Sequence, residues 1–241
     1  MIGLGTIINV AAIVAGGLLG KILGRFFSDR LQDTLNKACG ICVLFIGIAG
    51  ALEGMMSVSE GSLVSGKTLL IISSIVLGAL IGELLNIEAG IEKFGEWLKV
   101  KTGNGAERKF VEGFVTASLT VCVGAMAVVG AIEDGIHGDY SILVTKAILD
   151  LIIILVMTCS MGKGCMFSAI PVGLLQGLIT VLARIIKPIM TEPALANLSL
   201  VGSILIFCVG VNLVWGKKIR VANLLPAIVF AVGFAFIPIK L

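Results

Sequence analysis

The chain has 241 residues, of which 58% are hydrophobic and 14% are charged, with a formal net charge of +3 and a mean hydropathy of +1.12. Soluble domains carry about a quarter charged residues, so this composition excludes a soluble globular protein and predicts an integral membrane protein. The longest polar stretch, around residues 88–109, is too short to form a soluble domain.

Apolar runs of about 20 residues, the length that crosses a bilayer as a helix, recur along the whole chain. They predict an all-α, polytopic transmembrane helix bundle with about eight spans. The first residues lack the basic segment of a secretory signal and are expected to start the first span. The spans are expected near 2–24, 39–57, 67–86, 110–132, 141–161, 165–187, 197–215 and 221–239.

Between the spans, two polar stretches have helical character. The stretch S28-D-R-L-Q-D-T-L-N-K begins with a capping serine and is expected to form a short surface helix. The stretch I87-E-A-G-I-E-K-F-G-E-W-L-K has apolar residues at helical spacing, which is typical of a helix lying in the membrane interface.

Lysine and arginine are concentrated in the loops that follow spans 1, 3, 5 and 7. The positive-inside rule therefore predicts that these loops face the cytoplasm and that both termini lie outside. The opposite side has only Lys67, Lys146, Arg184, Lys187 and Lys240.

Glycine patterns and longer similarities indicate internal repeats. G-x-x-x-G occurs at residues 16–20, 78–82 and 173–177, and this pattern lets helix backbones approach closely, within one chain or in a homo-oligomer. Spans 2–3 resemble spans 4–5, with Lys67 matching Lys146 and Ile71 matching Asp150.

A weaker, inverted relation links spans 3–5 to spans 6–8, as occurs in secondary transporters. We therefore expect a single transmembrane domain, 1–241. Its parts are an N-terminal helix pair (1–66), a first repeat (67–162) and a second repeat (163–241).

The stretch K146-A-I-L-D150 places a lysine and an acid one helical turn apart on the same face of a span. Asp150 is expected near the bilayer centre, whereas Lys146 can snorkel towards the interface without a partner. The pair either fixes the orientation of the helix or contacts an ion, proton or solute, which is the default hypothesis for an intramembrane acid.

Further polar residues are candidates for the same solute- or ion-binding site. Asn9, Gln176, Asn212 and Asn223 lie inside or at the ends of spans and otherwise form hydrogen bonds between helices. Glu133 and Asp134 form an acidic outer mouth that either is simply solvated or concentrates cations. Pro171 and Pro226 each interrupt a span and either kink the helix or free backbone carbonyls for a ligand.

Signatures of catalysis and of cofactors are missing from the sequence. It lacks G-x-S-x-G, H-E-x-x-H and a Walker A lysine, and one histidine is too few for a metal cluster. The six cysteines, including the C39-x-x-C42 pair, are expected to be small packing residues. We therefore expect no enzyme, metal, cofactor or nucleic-acid partner.

Several motifs together are similar to the YqgA/YdfK-like family of uncharacterised bacterial membrane proteins over nearly the whole chain. They are G5-T-I-I-N9, E112-G-F-V-T-A-S-L, C122-V-G-A-M-A, K146-A-I-L-D150, F167-S-A-I-P-V, Q176-G-L-I-T and V221-A-N-L-L-P-A. The resemblance implies a bacterial cytoplasmic membrane protein and lends no functional residue.

The leading hypothesis is a transporter or channel for a small solute or ion. Asp150 would carry the coordinating charge, with Lys146 tuning it and Asn9, Gln176 and Asn223 supplying polar ligands. The alternative is a structural or partner-binding membrane protein without a permeation path, in which the charge pair only orients its span.

Overall fold

The computed structural model describes residues 2–59, 61–105 and 107–237, which form a helical bundle and one short hairpin. The all-α prediction is confirmed. The helices are α1 (Leu4–Gly24), α2 (Asp29–Met55), α3 (Thr68–Leu85), α4 (Ile87–Lys101), α5 (Phe110–Cys122), α6 (Ala125–His137), α7 (Ser141–Met161), α8 (Ala169–Val181), α9 (Ala183–Ile186), α10 (Glu192–Trp215) and α11 (Pro226–Phe234). Strands β1 (Met56–Ser59) and β2 (Ser62–Ser65) pair antiparallel.

Six segments are long and apolar enough to cross a membrane: α1, α2, α3, α7, α10, and α8 together with the 3₁₀ segment before it, Lys163–Ser168. Helices α5 and α6, bent by 63° at their junction, make up to a seventh span. The predicted last span is a shorter apolar helix, Val221–Phe234, and residues 238–239 of the prediction lie outside the described part of the chain. Eight spans are compatible with this architecture.

The polar stretch after α1 does not form a separate surface helix. Ser28 does cap a helix, since its hydroxyl accepts a hydrogen bond from Leu31 N at 3.4 Å. That helix is α2, which continues without a break from Asp29 to Met55 because no helix-breaking residue separates the polar turns from the apolar run.

Glycines set the closest helix contacts. On α1, a Cβ added at Gly16 or Gly20 would lie 2.5 Å from the carbonyl oxygen of Leu151 or Leu155 on α7, so the two backbones touch. On α3, Gly78 and Gly82 likewise face Ala227 and Asn223. These patterns are therefore used within one chain.

The third G-x-x-x-G is different. An added Cβ at Gly173 would meet only the side chain of Val10 within 4 Å, and one at Gly177 would meet nothing. The prediction of a close backbone contact is wrong at this position. The pattern on α8 partly faces outward, beside the exposed Leu174 and Leu178.

A glycine seam that the sequence patterns did not reveal joins α2 to α10. Gly40, Gly47 and Gly54, spaced by seven residues, face Leu213, Phe207 and Leu200 of α10. Because residue numbers rise along α2 as they fall along α10, the two helices run antiparallel. Their long contact forms one wall of the bundle.

Helix α4 is amphipathic, as the sequence predicts. Leu98 is buried, whereas Trp97 is exposed and stacks on Phe94 with 5.6 Å between ring centroids. Phe94 in turn lies 5.9 Å from the ring of Phe114 on α5. Helix α4 therefore packs its apolar face against the start of α5.

The tandem match of Lys67 with Lys146 is not reflected in local structure. Lys67 precedes α3 in a left-handed backbone conformation (φ 60°) directly after the hairpin. Lys146 instead lies inside α7, a turn past its start. The two lysines therefore stand in different local structure, because a β-hairpin leads into α3 and a short non-helical connection, residues 138–140, leads into α7. The proposed division into two repeats stays a prediction.

Candidate functional site

The lysine and aspartate of K146-A-I-L-D150 form a buried ion pair on one face of α7. Lys146 Nζ lies 2.8 Å from Oδ1 and 2.6 Å from Oδ2 of Asp150, and less than a tenth of either side chain is exposed. Lys146 Nζ also donates to the carbonyl oxygen of Val121 at 2.9 Å. The prediction that Lys146 snorkels without a partner is wrong, because three oxygen atoms inside the bundle surround its ammonium group.

Two amides from neighbouring helices join this pair. Asn9 Nδ2 on α1 donates to Gln176 Oε1 on α8 at 3.3 Å, and both residues are buried. The Asn9 side chain also lies beside the Asp150 carboxylate. The structure thus brings together Asn9, Lys146, Asp150 and Gln176, which we call the polar cluster.

The backbone is broken next to the polar cluster. Helix α5 ends at Cys122 and α6 begins at Ala125, with Gly124 between them at φ 147° and ψ 150°. This conformation is accessible essentially only to glycine. The break leaves carbonyl groups at the end of α5 without helical partners, and Val121 O, one of these, accepts the hydrogen bond from Lys146.

The sequence did not predict this break, because interruptions were expected at Pro171 and Pro226. These prolines lie in the first turns of α8 and α11, each directly after a 3₁₀ segment. Proline is well tolerated at that position because the first-turn N–H groups have no helical partner. The sequence signal for this break was the glycine in C122-V-G124-A. It was not distinctive, because this apolar run contains many other small residues.

Asp134 lies apart from the polar cluster and has a different task. Its Oδ1 accepts from Gly3 N at 3.1 Å and its Oδ2 from Gly5 N at 3.0 Å, so its carboxylate caps the start of α1. Glu133 points away and contacts His137 Nδ1 at 2.6 Å. The two acids therefore do not share one mouth, since successive helical residues project in different directions.

Asn212 and Asn223 hold loops at the other end of the bundle. Asn212 Oδ1 accepts from the backbone of Lys218 and Ile219, and its Nδ2 donates to Ile219 O at 2.7 Å. Asn223 Oδ1 accepts from the backbone N–H of Glu88 at 2.7 Å, which satisfies the first turn of α4. Neither is part of the polar cluster, so Gln176 and Asn223 do not form a common site.

A cavity of about 510 Å³ opens at the end of the bundle that carries Lys37, Arg108 and Lys217, which we call the basic end. Its volume lies within the range of ligand pockets. Charged side chains line its mouth, and all of them except the buried Glu88 are at least partly exposed: Asp33, Lys37, Glu88, Glu92, Glu96, Arg108, Glu112 and Lys217. Apolar side chains line its wall: Val111, Val115, Leu119, Met161, Val209, Leu213, Val214, Ile219 and Val221.

The cavity approaches the polar cluster along α5. Leu119, which lines the cavity, precedes by two residues the Val121 carbonyl that binds Lys146. Lys146 and Asp150 themselves do not line the cavity. The cavity thus ends short of the ion pair in this conformation.

Ion pairs at the cavity mouth centre on Lys217, which contacts Glu88 and Glu92 at 2.6 and 2.5 Å. Burial lowers the pKa of Lys217, but the hydrogen bonds and charges of Glu88 and Glu92 outweigh this effect and raise the pKa above its usual value. The sequence did not predict this site. Its signal was the repeat of acids at residues 88, 92 and 96, which places them on one face of α4.

The six cysteines are free thiols, and no group of three or more metal-ligating side chains occurs within residues 2–59, 61–105 and 107–237. Cys165 is fully buried, whereas Cys42 is exposed on the outside of α2.

Comparison with known proteins finds relatives along nearly the whole chain. A family model described as "Protein of unknown function (DUF554)" matches residues 4–236. The chain is 29% identical to the "Uncharacterized membrane protein YdfK" of Bacillus subtilis (strain 168), over 93% of this chain and 92% of that protein. It is 28% identical to the "Uncharacterized protein YqgA" of Escherichia coli (strain K12), over 95% and 94%. No solved structure gives a significant match. The predicted resemblance to this family is confirmed.

Proposed function

The chain belongs to the DUF554 family of proteins of unknown function, and we propose that it moves a small polar solute or ion across the bacterial cytoplasmic membrane. The observation that carries this proposal is the buried Lys146–Asp150 ion pair beside a broken helix. Asp150 would contact the moving species, and Lys146 would neutralise Asp150 when the site is empty. The chain would act as a carrier or channel and not as an enzyme.

Energetics favour a functional role for the pair over a purely structural one. Removing two charges from water is expensive, and apolar side chains of similar size often stabilise a protein as well or better. Ionisable residues inside membrane spans therefore commonly mark ion or solute paths. A helix could be oriented by apolar packing alone, so stability gives no reason to keep a lysine and an aspartate here.

The broken α5–α6 pair supports the same proposal. Irregular backbone at membrane depth is tolerated where it is buried in protein or lines a water-filled path, and discontinuous helices form the central sites of many transporters. Three features follow one another along α5. Leu119 lines the basic-end cavity, Val121 O binds Lys146 of the polar cluster, and the break comes after Cys122. We propose that the cavity is the cytoplasmic entrance and that the conformation is open to that side.

The orientation follows from charge. The basic end holds most of the lysine and arginine residues, so we place it in the cytoplasm and both termini outside. The charged mouth of the cavity then faces the cytoplasm, where a solute enters or leaves. The lipid bilayer and the solute are the proposed partners of the chain.

A stability screen of the purified protein tests the proposal. Melting temperatures are measured with alkali-metal and other salts, across a pH series, and with a panel of small metabolites. A solute of this site raises the melting temperature of the wild type by mass action, by several degrees at saturating concentration. The same solute leaves Asp150→Asn unchanged, because its contact with the carboxylate is lost.

Asp134→Asn is the matched control, since Asp134 is equally buried but caps α1. It lowers the melting temperature yet keeps the shift produced by the solute. Equal shifts in wild type and Asp150→Asn for every compound would favour the alternative, a structural or partner-binding membrane protein.

A further inference from the structure

A line of buried polar groups without partners runs between α1 and α8. Thr6 Oγ1 and Asn9 Oδ1 on α1, and Gln176 Nε2 and Thr180 Oγ1 on α8, have no hydrogen-bond partner among the described residues. All four residues are at most 8% exposed. Buried polar groups in proteins nearly always have partners, and each unpaired one is costly. These four groups therefore need a partner from outside the described part of the chain.

The four groups lie on one seam. Asn9 bonds to Gln176, and Gly173 approaches Val10, so α1 and α8 run antiparallel. Thr6 is three residues before Asn9 and Thr180 is four after Gln176. At about 1.5 Å per residue, both threonines lie about one helical turn from the amide pair, on the side away from the basic end. We call Thr6, Asn9, Gln176 and Thr180 the polar seam.

The polar seam leads to the ion pair from the side opposite the cavity. Asn9 lies on the face of α1 that packs on α7, between Gly5 and Gly16, which approach Leu143 and Leu151 on either side of Asp150. The cavity approaches the same pair from the basic end, along α5. The seam thus occupies the half of the bundle that the cavity does not reach.

The groups on the seam match an uncharged ligand. The Asn9–Gln176 bond leaves Asn9 Oδ1 as a free acceptor and Gln176 Nε2 as a free donor. If the oxygen and nitrogen atoms of both amides are exchanged, one acceptor and one donor again remain free. The threonine hydroxyls both donate and accept. The charges of Lys146 and Asp150 cancel, so an added net charge in this low-dielectric region has no counter-charge and is strongly disfavoured.

We infer that the polar seam is a hydrated track that admits small uncharged hydrogen-bonding molecules from the non-basic end to the Lys146–Asp150 pair. Water occupies it at rest, and a small neutral solute with one donor and one acceptor replaces that water. This inference rests on the proposed function for the movement of solute and narrows its substrate to an uncharged class.

Cysteine reactivity tests the track. Thr6→Cys and Thr180→Cys are made singly and treated at pH 7, in membranes, with 2-hydroxyethyl methanethiosulfonate. Methanethiosulfonates react with thiolates, and thiols form thiolates in water but not in lipid or in dry protein. Modification of each thiol is followed by mass spectrometry of its peptide. Native Cys165 reports a dry core and native Cys42 an exposed apolar surface.

Both introduced thiols are expected to react at least tenfold faster than Cys165 and Cys42. Rates equal to that of Cys165 overturn the track. Radiolytic hydroxyl footprinting of the wild type is the second measurement and needs no substitution. Modification of the segments around Thr6 and Thr180 above that around Cys165 supports the track, and equal modification overturns it.

The charged analogue 2-aminoethyl methanethiosulfonate, similar in size, tests the class of ligand. At an exposed control, His137→Cys, both reagents react readily. At Thr6→Cys and Thr180→Cys, the ratio of the neutral reagent's rate to the charged reagent's rate is expected to be at least tenfold higher than at His137→Cys. Equal access of the ammonium reagent overturns the uncharged class and leaves the proposed function standing with an ion as substrate.

Swelling of proteoliposomes in urea and in glycerol distinguishes a track that passes small neutral solutes from one that passes water alone. Entry of either compound above that in protein-free liposomes identifies a solute track, and faster water movement alone identifies water. No increase in either overturns passage along the seam. If, by contrast, no compound stabilises the wild type more than Asp150→Asn, the proposed function is overturned even if the introduced thiols react.

Discussion

Asp134 and Asp150 are both buried in this protein, yet their surroundings give them different roles. Asp134 accepts two backbone N–H groups at the start of α1, so both of its oxygens serve the fold. Asp150 is paired with a lysine beside a helix break and two amides. The sequence identified both acids and favoured Asp150 as the functional one, which stays a prediction. The capping role of Asp134 depends on a contact across about 130 residues, which no local pattern reveals.

Asp134→Asn should destabilise the protein without affecting the polar cluster. An amide carries no charge to oppose the positive end of the α1 dipole, and only one of its atoms accepts a hydrogen bond. The expected cost is about 1–2 kcal/mol. The free energy of unfolding in a mild denaturant measures it, with Glu133→Gln as control, because Glu133 is half-buried on the same helix and does not cap α1. An unchanged value would mean that the cap does not contribute to stability.

The Lys146–Asp150 pair predicts opposite effects for single and double variants. Lys146→Met or Asp150→Leu alone leaves a buried charge unpaired, which costs about 3–5 kcal/mol. The double variant removes both charges and should recover most of that stability. Thermal melting of all three proteins checks this cycle. A double variant less stable than both singles would contradict mutual neutralisation as the reason for the pairing.

At the scale of elements, glycine spacing predicted some packing and missed the rest. The G-x-x-x-G patterns on α1 and α3 do make backbone contacts, because four-residue spacing keeps both glycines on one face. The same pattern on α8 does not, and the seven-residue spacing on α2 does. Sequence gives the face of a helix but not its partner, so the contacted helix had to come from the structure.

The α5–α6 break makes its own prediction at Gly124. An alanine there would have to adopt φ 147°, which is open essentially only to glycine, at a cost of about 1–3 kcal/mol. Gly124→Ala should therefore lower the melting temperature by several degrees. Gly177→Ala is the control, because its Cβ meets nothing within 4 Å and alanine favours a helix by up to about 1 kcal/mol. Equal melting temperatures for the two variants would contradict the break.

At the scale of the whole molecule, composition and hydropathy predicted the class and most of the spans. The site was predicted only in part. Lys146, Asp150, Asn9 and Gln176 were named from their polarity inside apolar runs, and they do meet. The cavity was missed because its lining comes from α2, α4, α5, α7 and α10 and from the segments before α5 and after α10. Such a surface exists only after the helices have packed.

The charge bias of the two ends predicts the orientation of the molecule. His137→Cys, at the non-basic end, should react in intact cells with a membrane-impermeant thiol reagent. Lys101→Cys, at the end of α4, should react only after the cells are opened. Both positions are exposed, so access to solvent is not limiting. The reverse pattern would place the cavity outside the cell.

The measurement that tests the central claim most directly is solute flux into proteoliposomes through the double variant Lys146→Met/Asp150→Leu. The solute is the one that stabilises wild type but not Asp150→Asn, and the melting temperature of the variant confirms that it is folded. We predict flux through the wild type at least tenfold above protein-free liposomes, and flux through the folded double variant at the protein-free level. Undiminished flux through the double variant would contradict a role for the Lys146–Asp150 pair in transport.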